Sequence, residues 1–222
     1  MYNLILKEFL VQKKTLLYGI VYTIVCAYAF GDIVPNGGAI YTVAPFAVIY
    51  LFVNYSGGFD DKSKADIVFN SLPIKREDIV ISKYLAIVCF GTFGILCSAL
   101  LRLIGFYTGF PRVSRLISVN DIITVLVGGG IFAAVFYPLY FKYGMVKMKF
   151  ANIILFLIFM FLPSYIVEYA EKNPNSVVVK QVISVVANAS EWKINMLLAV
   201  VACIIVLISL LVSMRIYKNK DF

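Results

Sequence analysis

The 222-residue sequence contains no histidine. That excludes every mechanism built on an imidazole base or a histidine metal ligand, including Ser–His–Asp triads and HExxH zinc sites. Charge is also scarce. Asp, Glu, Lys and Arg make up 14% of the chain, where a soluble domain carries about a quarter. The four cysteines, Cys26, Cys89, Cys97 and Cys203, lie in apolar runs without CxxC spacing. They read as small buried hydrophobes and not as zinc or redox groups. No GxxxxGK[ST] phosphate loop occurs, so the chain does not bind ATP in that way. No carboxylate sits inside an apolar run. The acids nearest to bilayer depth, Asp32, Asp121 and Glu168, stand at the ends of runs, which weakens the case for proton-coupled transport.

What the sequence has in excess is apolar residues, at 62%, with a mean hydropathy of +0.91. Six runs are free of charge: 15–31, 33–59, 84–101, 122–141, 150–167 and 194–214. Each meets the length of about 17–25 residues that a helix needs to cross a bilayer. The first two are separated by Asp32, and Pro35, Asn36, Gly37 and Gly38 follow at once, a turn signal that predicts a helical hairpin. Apolar and polar residues do not alternate, so a barrel is not indicated. The lead before the first run has no clear cleavage site and is not read as a signal peptide. The expectation is an all-α membrane protein, a single transmembrane domain over 1–222, with spans about 15–33, 38–57, 83–106, 121–141, 150–168 and 194–214.

The remaining charges orient these spans. One side carries 14 of the 20 basic residues: Lys7, Lys13 and Lys14; Lys62, Lys64, Lys75, Arg76 and Lys83; Lys142, Lys147 and Lys149; Arg215, Lys218 and Lys220. The positive-inside rule places that side, with both termini, in the cytoplasm. The net charge of +8 then needs no nucleic acid, because anionic lipid head groups account for it.

Four segments outside the spans carry information about function. Residues 1–14 fit a helix with Tyr2, Ile5, Leu6, Phe9 and Lys13 on one face and Asn3, Lys7 and Lys14 opposite. It reads either as an interfacial helix with snorkelling lysines or as the start of a longer first span. The loop 58–82 is expected to hold two short helices about a corner at Pro73. Gly57 and Gly58 would end the second span, Asp60 and Asp61 would open a helix at 62–70, and Glu77 and Asp78 would open the next. Its five acids and five bases through Lys83 make it neutral, which suits protein docking, although a plain connector also fits. The segment 169–193 carries an amphipathic pattern with Lys180, Ser184 and Asn188 spaced by four, predicting a short outer helix. The tail from Arg215 reads as an anchor. Arg102, after 18 uncharged residues, either snorkels to the outer interface or faces a translocation route, with Glu168 and Asp121 as partners at that level. Gly91, Gly94, Gly105, Gly109 and the Gly128–Gly129–Gly130 triplet mark close helix packing, and Pro45, Pro138 and Pro163 mark kinks.

The stretch NSLPIKREDIVISKYL, 70–85, resembles the corresponding stretch in the compact membrane subunits of type-2 ABC exporters. A Leu-Pro pair, a basic doublet, an acid and a Lys-Tyr lead there into the third span. The opening MYNLILKEFLVQKKTLL is similar to that family's interfacial elbow helix. The resemblance implies a permease subunit in a bacterial cytoplasmic membrane. It would pair with a second membrane subunit, identical or not, and dock a separate cytosolic ABC ATPase. ATP and Mg would bind on that partner, with no cofactor or metal on this chain and no catalysis by it. Carried over residue by residue, it assigns ATPase docking to Asp61, Lys64, Asp66, Ile67, Val68, Phe69, Leu72, Lys75, Arg76 and Glu77. Ile67 and Phe69 would be seated in the ATPase groove. From the residues themselves, and not from the resemblance, Arg102 and Glu168 are the candidates for gating or translocation. Among the branches, exporters of amphipathic peptides such as phenol-soluble modulins are most similar, with self-immunity permeases related. A substrate-binding subunit of an energy-coupling importer and a membrane chaperone or sensor are the competing readings. The importer would lack the proline-cornered loop.

Overall fold

A computed structural model describes residues 2–13, 15–30, 38–71, 73–108, 117–173, 176 and 190–220. Among them every regular element is a helix: α1 (Tyr2–Val11), α2 (Thr15–Phe30), α3 (Gly38–Lys62), α4 (Ala65–Ser71), α5 (Arg76–Thr108), α6 (Val119–Lys172) and α7 (Glu191–Lys218). Four are long and apolar enough to cross a membrane: α3, α5, α6 and α7. α1 and α2 pass the same test only as a pair, bent by 65°. The expected outer turn at Asp32–Pro35–Asn36–Gly37 and the outer amphipathic segment with Lys180, Ser184 and Asn188 lie outside the described residues.

The 54 residues of α6 would measure about 80 Å as one straight helix, far more than a bilayer of about 30 Å accommodates. The helix is broken at Gly144, where φ is 74° and ψ 164°. The rings of Phe132 and Phe159 then lie 5.7 Å apart, although a straight helix would separate them by roughly 40 Å. α6 is therefore a hairpin of two arms, 119–143 and 145–172, folded against each other.

α3 is the centre of the bundle and packs on α2, α5 and both arms of α6. Its Tyr41, Ala44, Ala47, Val48, Ile49, Phe52 and Val53 are all buried. The aromatic side chains explain the tight contact with α6: Phe46 stacks on Phe156 and Phe159 and meets Phe132 edge-on. α5 comes closest at Gly94, where an added Cβ would lie 2.9 Å from the Cα of Pro45. Here the small residue admits a backbone, as the glycine spacing implies. α7 is the least covered span, with 17% of its apolar window buried. Hydroxyls fasten it to the bundle. Tyr84 of α5 bonds Ser209 at 2.7 Å and Ser213 at 2.9 Å, and Ser209 donates to the Ala134 carbonyl at 2.6 Å.

The second apolar run does not end at Gly57 and Gly58, as the sequence suggests. α3 continues through both to Lys62. Gly57 serves packing, since a Cβ there would meet the Tyr140 ring at 3.2 Å. Asp60 and Asp61 consequently close α3 instead of opening the next helix, and the reversal falls at Lys64, with φ 49°.

The turn at Gly144 is a region of backbone that only glycine adopts readily. Gly144→Ala is expected to destabilise the chain by about 1–3 kcal/mol, read as a lowered unfolding midpoint of the purified protein in detergent. An unchanged midpoint would mean that the hairpin does not depend on that conformation.

Candidate functional site

One end of the bundle gathers α1, the end of α3, α4, the start of α5, the Gly144 turn and the end of α7. α4 is its outermost helix. Ala65 is buried and Phe69 half-buried, so these two, one helical turn apart, form its inner face. Ile67 and Val68 turn outward, 59% and 54% exposed. Pro73 follows α4, Ile74 packs on the main apolar cluster, and Glu77 and Asp78 occupy the first turn of α5, where acids suit the helix dipole. Lys64, Lys75 and Glu77 are exposed. Leu72 and the side chain of Asp66 lie outside the described residues.

Two of the residues assigned to docking hold helix ends. Asp61 Oδ2 accepts from the backbone N–H groups of Met145, at 2.6 Å, and Val146, at 3.2 Å. It therefore caps the second arm of α6 from another helix, with an anion at the positive end of the dipole. Arg76 makes the complementary contact. Its guanidinium donates to the carbonyls of Lys218 at 2.8 Å and Lys220 at 3.2 Å, beside that of Tyr217 at 3.5 Å. The last turn of α7 thus receives a cation on its unsatisfied carbonyls. The loop around α4 is pinned on both sides.

Beneath α4 lies a cluster that spacing alone did not reveal. Lys83 of α5, whose side chain is 5% exposed, pairs with Asp60 of α3 at 2.5 Å and Glu8 of α1 at 3.3 Å. Lys7 pairs with the same two carboxylates, at 2.6 and 3.0 Å. Ser56 donates to Glu8, and the Lys83 ammonium also faces Ser56 at 3.3 Å and the Tyr140 ring at 5.5 Å. Tyr137 donates to the Lys83 carbonyl at 3.0 Å. Two cations and two anions are thus neutralised with little water. Burial raises the Glu8 carboxyl, but Lys83, Lys7 and the Ser56 hydrogen bond outweigh it and hold the group down at about 2. Asp60, in the last turn of α3, stands at the unfavourable end of a helix dipole, which the two ammonium groups offset.

Leu4, Glu8 and Gln12 form the buried face of α1, a stripe at helical spacing in which two of three residues are polar. Gln12 donates to the Phe52 carbonyl at 3.1 Å. Leu6, which the sequence places on the apolar face of an interfacial helix, is exposed, as a lipid-facing residue would be, but Lys7 is ion-paired instead of snorkelling. The apolar residues gave no warning, because the buried face was chosen by partners far along the chain, 75 residues away for Glu8 and Lys83.

At the opposite end, Glu168 pairs with Lys172 on its own helix at 2.5 Å, both well exposed. Such a pair contributes little. Asp121 forms a capping box with Ser118. Arg102 is half-buried near the end of α5. Between α2 and α3 an open groove of about 390 Å³ is lined by Thr15, Tyr18, Leu51, Asn54 and Tyr55. Among the described residues no cluster of three or more His, Cys, Asp or Glu side chains could hold a metal ion.

A family model for the ABC-2 family transporter protein matches residues 3–218. The chain belongs to the ABC-2 transporter family. No curated protein and no solved structure matches it. An ABC-2 member is a multi-pass membrane protein and the permease subunit of an ABC transporter. The family is generally the non-catalytic membrane component, and it implies an ABC ATPase as partner.

Replacing Lys83 by Met leaves Glu8 and Asp60 with one cation between them. The loss expected for breaking a buried pair from one side is about 3–5 kcal/mol, read as a lowered unfolding midpoint. Exposed Lys13→Met should stay within about 0.5 kcal/mol. Equal effects of the two would show that the cluster carries no structural weight.

Proposed function

We propose that this ABC-2 permease is half of an ATP-driven exporter of amphipathic or hydrophobic peptides, working in a bacterial cytoplasmic membrane with both termini inside. Its crossings are six: α2, α3, α5, the two arms of α6, and α7. α1 lies in the inner interface as an elbow, and α4 is the coupling helix that meets the ATPase. The observation that carries this reading is the outward pair Ile67–Val68, presented on a short helix whose flanks are pinned by Asp61 and Arg76. An apolar edge on a rigid frame, rimmed by Lys64, Lys75 and Glu77, is the surface a groove in a soluble partner would grip. A flexible connector would need none of these supports.

The positive-inside count supports the orientation, because the basic residues collect at the α4 end. Exposed apolar side chains on α2, among them Leu17, Val21 and Ile24, and on the second arm of α6, among them Phe161 and Tyr165, supply a seam for a second membrane subunit. The groove beside α2 mixes a hydroxyl, an amide, two phenols and a leucine. That lining suits an amphipathic peptide better than an ion.

The test is co-purification with the soluble ABC ATPase that the family implies as its partner. Ile67→Asp and Val68→Asp should each weaken capture by about tenfold or more, as loss of a central interface contact does. Lys142→Gln, away from α4, should not. Full capture by both aspartate variants would remove α4 from the interface.

A further inference from the structure

α4 meets the ATPase in the reading above, and the inference here rests on it. What passes a displacement of α4 to the spans? The exposed edge cannot, because it faces away from the bundle. The inner face offers Phe69, and the Lys7 ammonium lies over its ring, 4.9 Å from the centroid. The same ammonium pairs with Asp60 at 2.6 Å and Glu8 at 3.0 Å. Those two carboxylates are in turn the partners of Lys83 on α5.

We propose that Lys7 is the positioning residue that couples α4 to α1 and, through the shared carboxylates, to α3 and α5. A cation over a ring is a soft contact that tolerates sliding of the ring, and desolvation strengthens it. The ion pairs behind it are short and their carboxylates are buried, so they resist separation. Movement of α4 with its ATPase therefore draws Lys7 with it or leaves it behind. Either way the balance of Lys7 and Lys83 on Asp60 and Glu8 changes. α1 is the element free to respond, since it is a ten-residue helix joined to α2 across a 65° bend. α3 and α5 are locked together along the core. The arrangement meets the requirement that a partner shift a conformation only through contacts that differ between the two states.

The experiment uses the full complex of this chain and its ATPase in nanodiscs, with the four native cysteines replaced by alanine and one reporter, Lys13→Cys, just beyond α1. The maleimide labelling rate is compared without nucleotide and after trapping with ATP, Mg and vanadate. Trapping should change the rate by about fivefold, the scale of one cation–π contact. Lys7→Met should abolish the change, and Lys7→Arg, which keeps the charge over the ring, should restore it. Phe69→Leu removes the ring without touching the ion pairs, so it should also abolish the change even if Lys7→Met fails to fold. A nucleotide-dependent change that survives in a Phe69→Leu complex overturns the proposal. So does the absence of any change in the parent complex. Failure of the parent chain to capture the ATPase is a separate result, which sinks the docking reading as well.

Discussion

Two lysines and two carboxylates share one nearly dry site at the end of the bundle, and much of the architecture depends on their staying together. None of the four can leave without abandoning an opposite charge in apolar surroundings, where water cannot compensate it. Because the four come from α1, α3 and α5, that requirement sets where the first helix lies and how the α3 terminus meets the start of α5. The pairs need not contribute net stability against an apolar alternative to have this effect. What they supply is a penalty for every other arrangement. Lys83 is the strictest member. Its chain is enclosed by Glu8, Asp60, Ser56 and Tyr140, and Tyr137 holds its own carbonyl.

The same physics appears at the helix ends around the site. A helix terminus removed from water must find partners for its last backbone groups. Here two are satisfied by side chains from other helices, an acid at an N-terminus and a base at a C-terminus. Asp61 serves the second arm of α6, and Arg76 serves α7. Each contact joins elements that apolar packing alone would leave free to slide. Between them α4 protrudes, with Ile67 and Val68 facing out.

The helical architecture was legible because it rests on long runs without charge, and a run of that length has few structural options. The proline corner after α4 and the acids in the first turn of α5 were legible for a similar reason, since both act on their immediate neighbours. The end of α3 was misread at Gly57 and Gly58. Glycine breaks a helix as an average tendency, whereas here the ring of Tyr140 occupies the space a side chain would need. The buried face of α1 was not foreseen, because its polar members find their partners on distant helices, and in a bilayer an exposed Leu6 costs nothing. Polarity inverts its usual meaning in such a protein. Glu8 and Gln12 are the residues that lipid cannot accommodate, so they turn inward. The apolar content of α4 was visible in the loop, but the division of labour around it was not. That division depends on which carbonyl or N–H lies within reach of Asp61 and Arg76.

The distribution of burial bears on where work enters the molecule. α3 has half of its apolar window buried, with interlocked rings on one side and a backbone contact at Gly94 on another. α7 packs on α6 and α5 and is fastened to them by hydroxyls, yet it leaves most of its surface exposed. A force applied anywhere on α3 would have to move several helices as one body. α1 and α4 have the opposite character. Both are short, both lie at the edge of the bundle, α1 with Leu4 and Glu8 buried against it, and each is joined to its neighbouring helix through a turn. They touch each other where Lys7 covers Phe69. A permease driven by an external ATPase needs one place that can be pushed and one body that moves when pushed. The apolar spans supply the body, and in the proposed coupling the charged end is the place that is pushed.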